Sequence, residues 1–178
     1  MAFVNDSLRA GGIVMSLHLA KIAIMSVADR PGVAGVVLGV LADRGINVHC
    51  VVETTDQSNR SHFVICVEEA CLDKALAAVS GVQDKIEAER ISHRPGVALV
   101  SVFGPHFRDI PGSASRTCRA ISEANSNILA ISTSFSSITC MIDGADLDRV
   151  VLSLRQAFDV PESAVCVAAD GLSRRSRC

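Results

Sequence analysis

An internal repeat constrains the fold of this chain more than any other feature. Pro31-Gly32 returns as Pro111-Gly112 and Asn47 returns as Asn127, each eighty residues further on. The apolar run FVICV at Phe63 returns as ITCMI at Ile138, seventy-five residues on. The two copies therefore match throughout, and one loop is five residues shorter in the second. Such a repeat in 178 residues predicts two small units built on one plan.

Each copy follows the order strand, helix, strand, strand, helix, strand. In the first copy, the apolar run at 20–27 indicates a strand. After it, apolar residues recur at helical spacing, at Val33, Val36, Val37, Val40 and Leu41. We expect Asp29 to cap this helix and Gly45 to end it. The remaining predicted elements are strands at 46–54, 61–68 and 85–92, a helix at 71–79 and, in the second copy, a helix at 113–124. This βαββαβ order predicts an α+β fold of two ferredoxin-like units, each an antiparallel sheet with its helices on one face.

Composition excludes several classes of function. The net charge is -2 and aromatics make up 3%, with no Trp and no Tyr, which argues against nucleic-acid binding. No apolar stretch is long enough to span a membrane, and the first twelve residues lack the pattern of a secretory leader. The seven cysteines include no C-x-x-C pair, so we expect small buried thiols of a reducing compartment. These observations predict a cytoplasmic protein with no nucleic-acid or membrane partner.

The motifs of both copies resemble those of a known family. DRPGVAG at the first strand–helix turn is similar to the turn of an ACT domain, the small-molecule sensor of amino-acid metabolism. The second half reads ALVSVFG, PGSAS, NILAISTS, SITCMIDG and LDRVVLSLRQAF. In tandem, these motifs resemble the C-terminal regulatory region of aspartokinases, and the resemblance spans about Gly12 to Ala169. Some aspartokinases carry this region as a separate beta subunit.

The resemblance implies a fold, a function and partners. It implies two ACT units, at 13–92 and 93–170, with an N-terminal strand at 13–18 available to the second unit. We expect 171–178 to be a disordered basic tail. The resemblance also implies a non-catalytic module of lysine biosynthesis that forms a homodimer through its ACT units. It implies that lysine, threonine or a related amino acid binds where two ACT units meet, for feedback inhibition. A separate catalytic aspartokinase chain is a possible partner. The sequence holds no G-x-x-x-x-G-K-[ST] loop for phosphates, and we expect no cofactor and no metal.

The predicted effector site lies at the two Pro-Gly turns and the strands that follow. A free amino acid carries a carboxylate, and backbone N–H groups at a helix N-terminus suit that group. Glycine at the turn permits close approach of a ligand because it has no Cβ. The predicted effector-binding residues are Asp29, Arg30, Pro31, Gly32, Val33, Ala34, Asn47, Val48 and Glu53 in the first copy and Asp109, Ile110, Pro111, Gly112, Ser113, Ala114, Asn127, Ile128, Ser132, Thr133 and Ser134 in the second.

Three positions depart from the pattern of lysine-sensing relatives. His49 and Leu129 stand where an acid commonly occurs, and Phe135 stands where a glutamate follows the S-T-S motif. Leu129 and Phe135 cannot pair with a ligand ammonium group. One alternative is therefore a ligand-free partner or structural subunit of a separate kinase chain. A further alternative is a small enzyme that uses His49 or His62.

Overall fold

The computed structural model describes residues 8–168, apart from 106 and 108. Within them the chain divides into two compact units, one of residues 18–97 and one that joins residues 8–17 to 98–168. The sequence placed this division at 92/93, whereas the contacts of the structure place it at 97/98, inside a strand. The predicted tail at 171–178 lies outside the described residues.

The unit of residues 18–97 is a four-stranded sheet covered by helices. Its elements are β2 (Gly12–Ala28) from residue 18, α1 (Val33–Ala42), β3 (Cys50–Thr55), β4 (Arg60–Glu68), α2 (Leu72–Ser80), α3 (Gln83–Ile86) and β5 (Arg90–Phe103) up to residue 97. The strand order is β3-β4-β2-β5, and β4 is antiparallel to both of its neighbours. Residues Val37 and Leu41 of α1 and Ala75 and Val79 of α2 are fully covered against strand residues such as Ile65.

The unit of residues 8–17 and 98–168 repeats this plan. Its elements are β1 (Leu8–Arg9), the first residues of β2, the end of β5, α4 (Ser113–Glu123), β6 (Ala130–Thr133), β7 (Ser137–Asp143), α5 (Leu147–Ala157), β8 (Phe158–Asp159) and β9 (Val165–Val167). The strands β5, β7 and β6 are neighbours in that order, and β6 and β7 are antiparallel. Residues 13–15 of β2 pair in parallel with β9, and β1 pairs in parallel with β8.

Both first helices begin at a left-handed glycine. Gly32 precedes α1 with φ 94° and Gly112 precedes α4 with φ 96°, and neither helix has a side-chain cap. The expectation that Asp29 caps α1 was therefore wrong, because the backbone reverses at Gly32, three residues closer to the helix. A glycine tolerates this φ without the steric cost that a Cβ brings.

Both first helices also end in the same way. Gly45 has φ 70°, its N–H donates to the carbonyl of Ala42, and Ile46 N–H donates to Leu41 O. In the second unit Asn125, with φ 54°, occupies the corresponding position, and Ser126 N–H reaches Ile121 O. This pair of bonds satisfies carbonyls that have no partner inside the helix. Gly45 thus ends the helix as the sequence indicated.

Two predicted strand boundaries were wrong. The strand expected over 46–54 begins at Cys50, because Ile46 is still engaged in closing α1 and is buried there. The strand expected over 85–92 begins at Arg90, and 83–86 forms the short helix α3. Glu87 follows α3 with a left-handed φ of 52°, which ends it before β5.

Of the six described cysteines, Cys66, Cys71 and Cys140 are buried as small apolar residues, Cys50 and Cys118 are partly buried, and Cys166 is exposed. Cys66 on β4 and Cys140 on β7 are buried, and burial raises the pKa of each thiol to about 12. Cys50, Cys66, Cys118, Cys140 and Cys166 are free thiols. Cys71 is disulfide-bonded, so the expectation of reduced thiols fails at that position.

Candidate functional site

A cleft of about 620 Å³ opens beside the second Pro-Gly turn. It lies within the unit of residues 98–168, between the turn that leads into α4 and the hairpin that joins β6 to β7. The residues that line it are Phe107, Ile110, Gly112, Ser113, Ala114, Thr133, Ser134, Phe135 and Ile138. Six of these nine residues belong to the effector site predicted from sequence. They lie where the Pro-Gly turn approaches the end of β6.

The N-terminus of α4 forms one side of the cleft. Gly112, Ser113 and Ala114 line it, and α4 continues from there for eleven residues. The N–H groups in the first turn of a helix have no carbonyl partner within that helix and carry the positive end of its dipole. Ser113 is almost fully buried, and its hydroxyl donates to the carbonyl of Ile110 at 2.9 Å, which holds the turn closed. This side of the cleft is suited to an anion such as a carboxylate.

The opposite side of the cleft is a serine-rich hairpin. Ser134 Oγ lies 2.8 Å from Ser137 Oγ and accepts the Ser137 N–H at 3.1 Å. These hydrogen bonds hold the tip of the hairpin, which carries Phe135. Phe135 is 68% exposed. Thr133, the last residue of β6, is also exposed and lines the cleft.

Two buried apolar side chains form the floor. Phe107 and Ile138 are both nearly inaccessible. The ring of Phe107 packs against Phe158, with centroids 5.8 Å apart and planes tilted by 39°. Gly104 makes room for that ring, since a Cβ at this position would overlap it. Phe107 and Ile138 were not among the predicted effector-binding residues. An aromatic residue shortly before the Pro-Gly turn was the available signal for Phe107.

The other predicted residues of the second copy lie outside the lining of the cleft. Asn127 and Ser132 are exposed, Asn127 in the loop before β6 and Ser132 on β6 itself. Ile128 packs against the core of its unit. Asp109 and Pro111 are exposed members of the turn. Leu129, which departs from the family pattern, is half-buried, and its N–H donates to Met141 O.

The first Pro-Gly turn is engaged with its own unit. Asp29 Oδ1 accepts the hydroxyl of Ser61 at 3.3 Å. Arg30 donates to the carbonyl of Lys85, and its Nη1 lies 3.3 Å from Glu87 Oε1. Val33 N–H, in the first turn of α1, donates to Arg30 O at 3.3 Å. The charged side chains of this turn therefore bind neighbouring protein groups.

The remaining predicted residues of the first copy do not form one surface. Pro31 and Asn47 are exposed, and Val33, Ala34 and Val48 pack into or against the core. Glu53 is exposed on β3, opposite Phe63 of β4.

The two histidines considered for catalysis have partners within the fold. His62 Nδ1 accepts the N–H of Ser26 at 3.1 Å, and Nε2 lies 3.0 Å from Asp56 Oδ2. His49 Nε2 lies 3.8 Å from Glu68 Oε1. Across the described residues, no group of three or more His, Cys, Asp or Glu side chains is arranged to hold a metal ion.

Comparison with known proteins identifies the family. Residues 21–80 and residues 100–158 each match a family model described as an ACT domain. A crystal structure of aspartokinase alpha and beta subunits contains a chain 30% identical to this one, with a TM-score of 0.76. The match covers 84% of this chain and 99% of that one. This chain belongs to the tandem ACT-domain family of aspartokinase regulatory regions.

Other relatives of this chain are also aspartate kinases or their regulatory subunits. The ligand-free regulatory subunit of aspartate kinase from Thermus thermophilus is 27% identical, with a TM-score of 0.76, over 84% of this chain and 98% of its own. An aspartate kinase of Stutzerimonas stutzeri is 30% identical over 153 residues, or 86% of this chain. The chain spans 37% of the length of that kinase. The predicted family and fold are thus confirmed, and the regulatory subunits among the structural relatives are consistent with a non-catalytic role.

No helix among the described residues is both long and apolar enough to cross a bilayer.

Proposed function

We propose that this ACT pair senses a free amino acid in the cleft of residues 98–168 and transmits its binding to an aspartokinase catalytic chain. The observation that carries the proposal is the meeting of six predicted effector residues around one cleft. Its volume of about 620 Å³ falls within the range of ordinary small-molecule sites.

In this proposal the α-carboxylate of the ligand binds at the N-terminus of α4. Backbone N–H groups there attract an anion, and Gly112 presents no side chain that would keep it away. A polar side chain, Thr133, lies on the facing strand and is available to the ligand's ammonium group. The first turn serves a structural role in this proposal, because Asp29 and Arg30 are bound to Ser61, Lys85 and Glu87.

The comparisons support feedback control as the purpose of binding. They relate the chain to regulatory subunits of aspartate kinase and to a structure of alpha and beta subunits. By resemblance, the first effectors to test are lysine and threonine. The two ACT units in this proposal are those expected at 13–92 and 93–170. The second of them binds the effector, and the module acts in the cytoplasm on a separate kinase chain.

Titration calorimetry of the full chain against the twenty amino acids tests the proposal. We expect saturable heat from at least one amino acid, and the same amino acid should change the rate of the partner kinase when the two chains are mixed. A folded chain that responds to none of the twenty would contradict the sensor function.

A second candidate function is that of a subunit that acts by association alone. The edge strands β3 and β6 each expose an apolar side chain at equivalent positions, Val51 at 41% and Ile131 at 38%. An unpaired strand edge with apolar residues favours pairing with another chain. Light scattering of the protein and of Val51→Lys and Ile131→Lys tests whether it forms the expected homodimer. Kinase binding without any ligand effect would favour this candidate over the first.

A further inference from the structure

We infer that the cleft of residues 98–168 selects an amino acid with an uncharged, apolar side chain, and that its affinity rises with the length of that side chain. This inference rests on the proposed function and narrows it, since the resemblance alone points to lysine or threonine. It is carried by the chemistry of the side chains around the cleft.

Four of the lining side chains are large and apolar. Phe107 and Ile138 form a buried floor, and Ile110 and Phe135 lie at the exposed rim, 37% and 68% accessible. A ligand side chain placed among them exchanges water for apolar contact on more than one side. Burial of apolar surface contributes about 25 cal/mol per Å², so a longer aliphatic side chain gains affinity.

The floor is held in position by packing. Phe107 is fixed between Phe158, at 5.8 Å between ring centroids, and the bare backbone of Gly104. An apolar surface that is already formed before binding does not have to be ordered by the ligand, which lowers the cost of association.

The polar groups of the cleft do not suit a second positive charge. Of its three hydroxyl groups, that of Ser113 donates to Ile110 O, and Ser134 Oγ is bound within its own hairpin. No carboxylate belongs to the described lining, and Asp109, the described acid of the same turn, is exposed outside that lining. The ammonium group of a lysine side chain would therefore lose water without gaining an anionic partner, which is unfavourable.

Norleucine and lysine form a matched pair of probes, because norleucine is lysine without its terminal ammonium group. We expect calorimetry on the full chain to show norleucine and leucine binding at least tenfold more tightly than lysine. Along the series alanine, valine, leucine, affinity should rise about fourfold for each added methylene, the equivalent of ~0.8 kcal/mol.

A variant at the rim gives an independent test. Phe135→Glu should weaken leucine binding and strengthen lysine binding, because it places a carboxylate beside the cleft. Ala77→Glu adds the same charge at an exposed position of α2 and should leave both affinities within twofold. Circular dichroism and melting curves establish that each variant folds.

The possible results separate the two claims. Lysine or threonine binding as tightly as leucine would overturn the apolar selectivity and leave the sensor function standing. Equal affinity for alanine and leucine would also overturn the selectivity. Absence of binding to every amino acid would overturn both the apolar selectivity and the sensor function.

Discussion

His62 Nε2 lies 3.0 Å from Asp56 Oδ2, and the opposite ring nitrogen accepts the backbone N–H of Ser26. Because Nδ1 accepts, the proton of the neutral imidazole is on Nε2 and is donated to the carboxylate. Ser26 has a left-handed φ of 55° at the irregularity of β2, and its carbonyl is bound by Arg60. The longer hairpin of the first unit is thus tied to a distorted strand through one histidine.

Asp56 makes the stability of this hairpin dependent on pH. The hydrogen bond from His62, followed by that from Arg60 N–H, lowers the pKa of the Asp56 carboxyl from its usual value. A carboxyl with a lowered folded pKa adds stability above its unfolded pKa, and that stability is lost as pH falls through the folded value. We expect Asp56→Asn to lower the melting temperature at pH 7 and the difference from wild type to shrink below about pH 4. A constant difference from pH 7 to pH 2.5 would contradict this explanation.

The two left-handed glycines allow the turns to be compared. A Cβ at Gly32 or Gly112 meets nothing within 4 Å, so alanine at either position brings similar backbone strain, about 1–2 kcal/mol. Only Gly112 lines the cleft. We expect Gly112→Ala to weaken ligand binding by about tenfold, ~1.4 kcal/mol, while Gly32→Ala changes it little. Calorimetry on both variants checks this, and equal losses would show that strain alone affects binding.

Gly104 supports the apolar floor from beneath. In Gly104→Ala the new methyl group would overlap the ring of Phe107, so the ring must shift from its place in the floor. Overpacking of this kind costs about 1–3 kcal/mol. We expect a lower melting temperature together with weaker ligand binding. Gly39→Ala is the control: its Cβ has open space on α1, and the change should stabilise the helix by about 0.5–1 kcal/mol. Unchanged binding in Gly104→Ala would remove Phe107 from the site.

The start of β2 offers a matched pair of neighbouring residues. A Cβ on Gly12 would lie 2.7 Å from the carbonyl oxygen of Ala164, whereas one on Gly11 would lie 3.7 Å from Phe103 O. Because backbone cannot easily yield, we expect Gly12→Ala to destabilise the pairing with β9 by about 1–3 kcal/mol. Gly11→Ala should stay within about 0.5 kcal/mol of wild type. Urea unfolding measures the stability of both variants. Similar midpoints would show that the backbone at Ala164, just before β9, does not lie this close to Gly12.

The fold was predictable because its signals are local and occur twice. The helical spacing of Val37 and Leu41 and the stop at Gly45 each identify an element without knowledge of distant contacts. The capping of α1 was not predictable in the same way, because Asp29 suits an N-cap chemically and is instead bound by Ser61 on another strand. The segment 85–92 alternates like a strand, yet Ile86 is buried at the end of a short helix.

The site was predictable as a location and less so as a surface. Both Pro-Gly turns have the same backbone conformation, and sequence could not separate them. The difference arises from tertiary contacts, since Arg30 meets Glu87, which lies far away in sequence. The place of Phe107 in the site also depends on tertiary contacts. Its ring is positioned by the bare backbone at Gly104 and by the ring of Phe158.

Asp29 and Arg30 are already bound to neighbouring groups of the protein, and this limits how many effector molecules one chain can take up. If only the second turn takes up an effector, each polypeptide binds one molecule, and a titration of isolated chains follows a simple hyperbola. Any sigmoidal inhibition of a kinase complex would then arise from communication between polypeptides. Its Hill coefficient would report how many chains respond together.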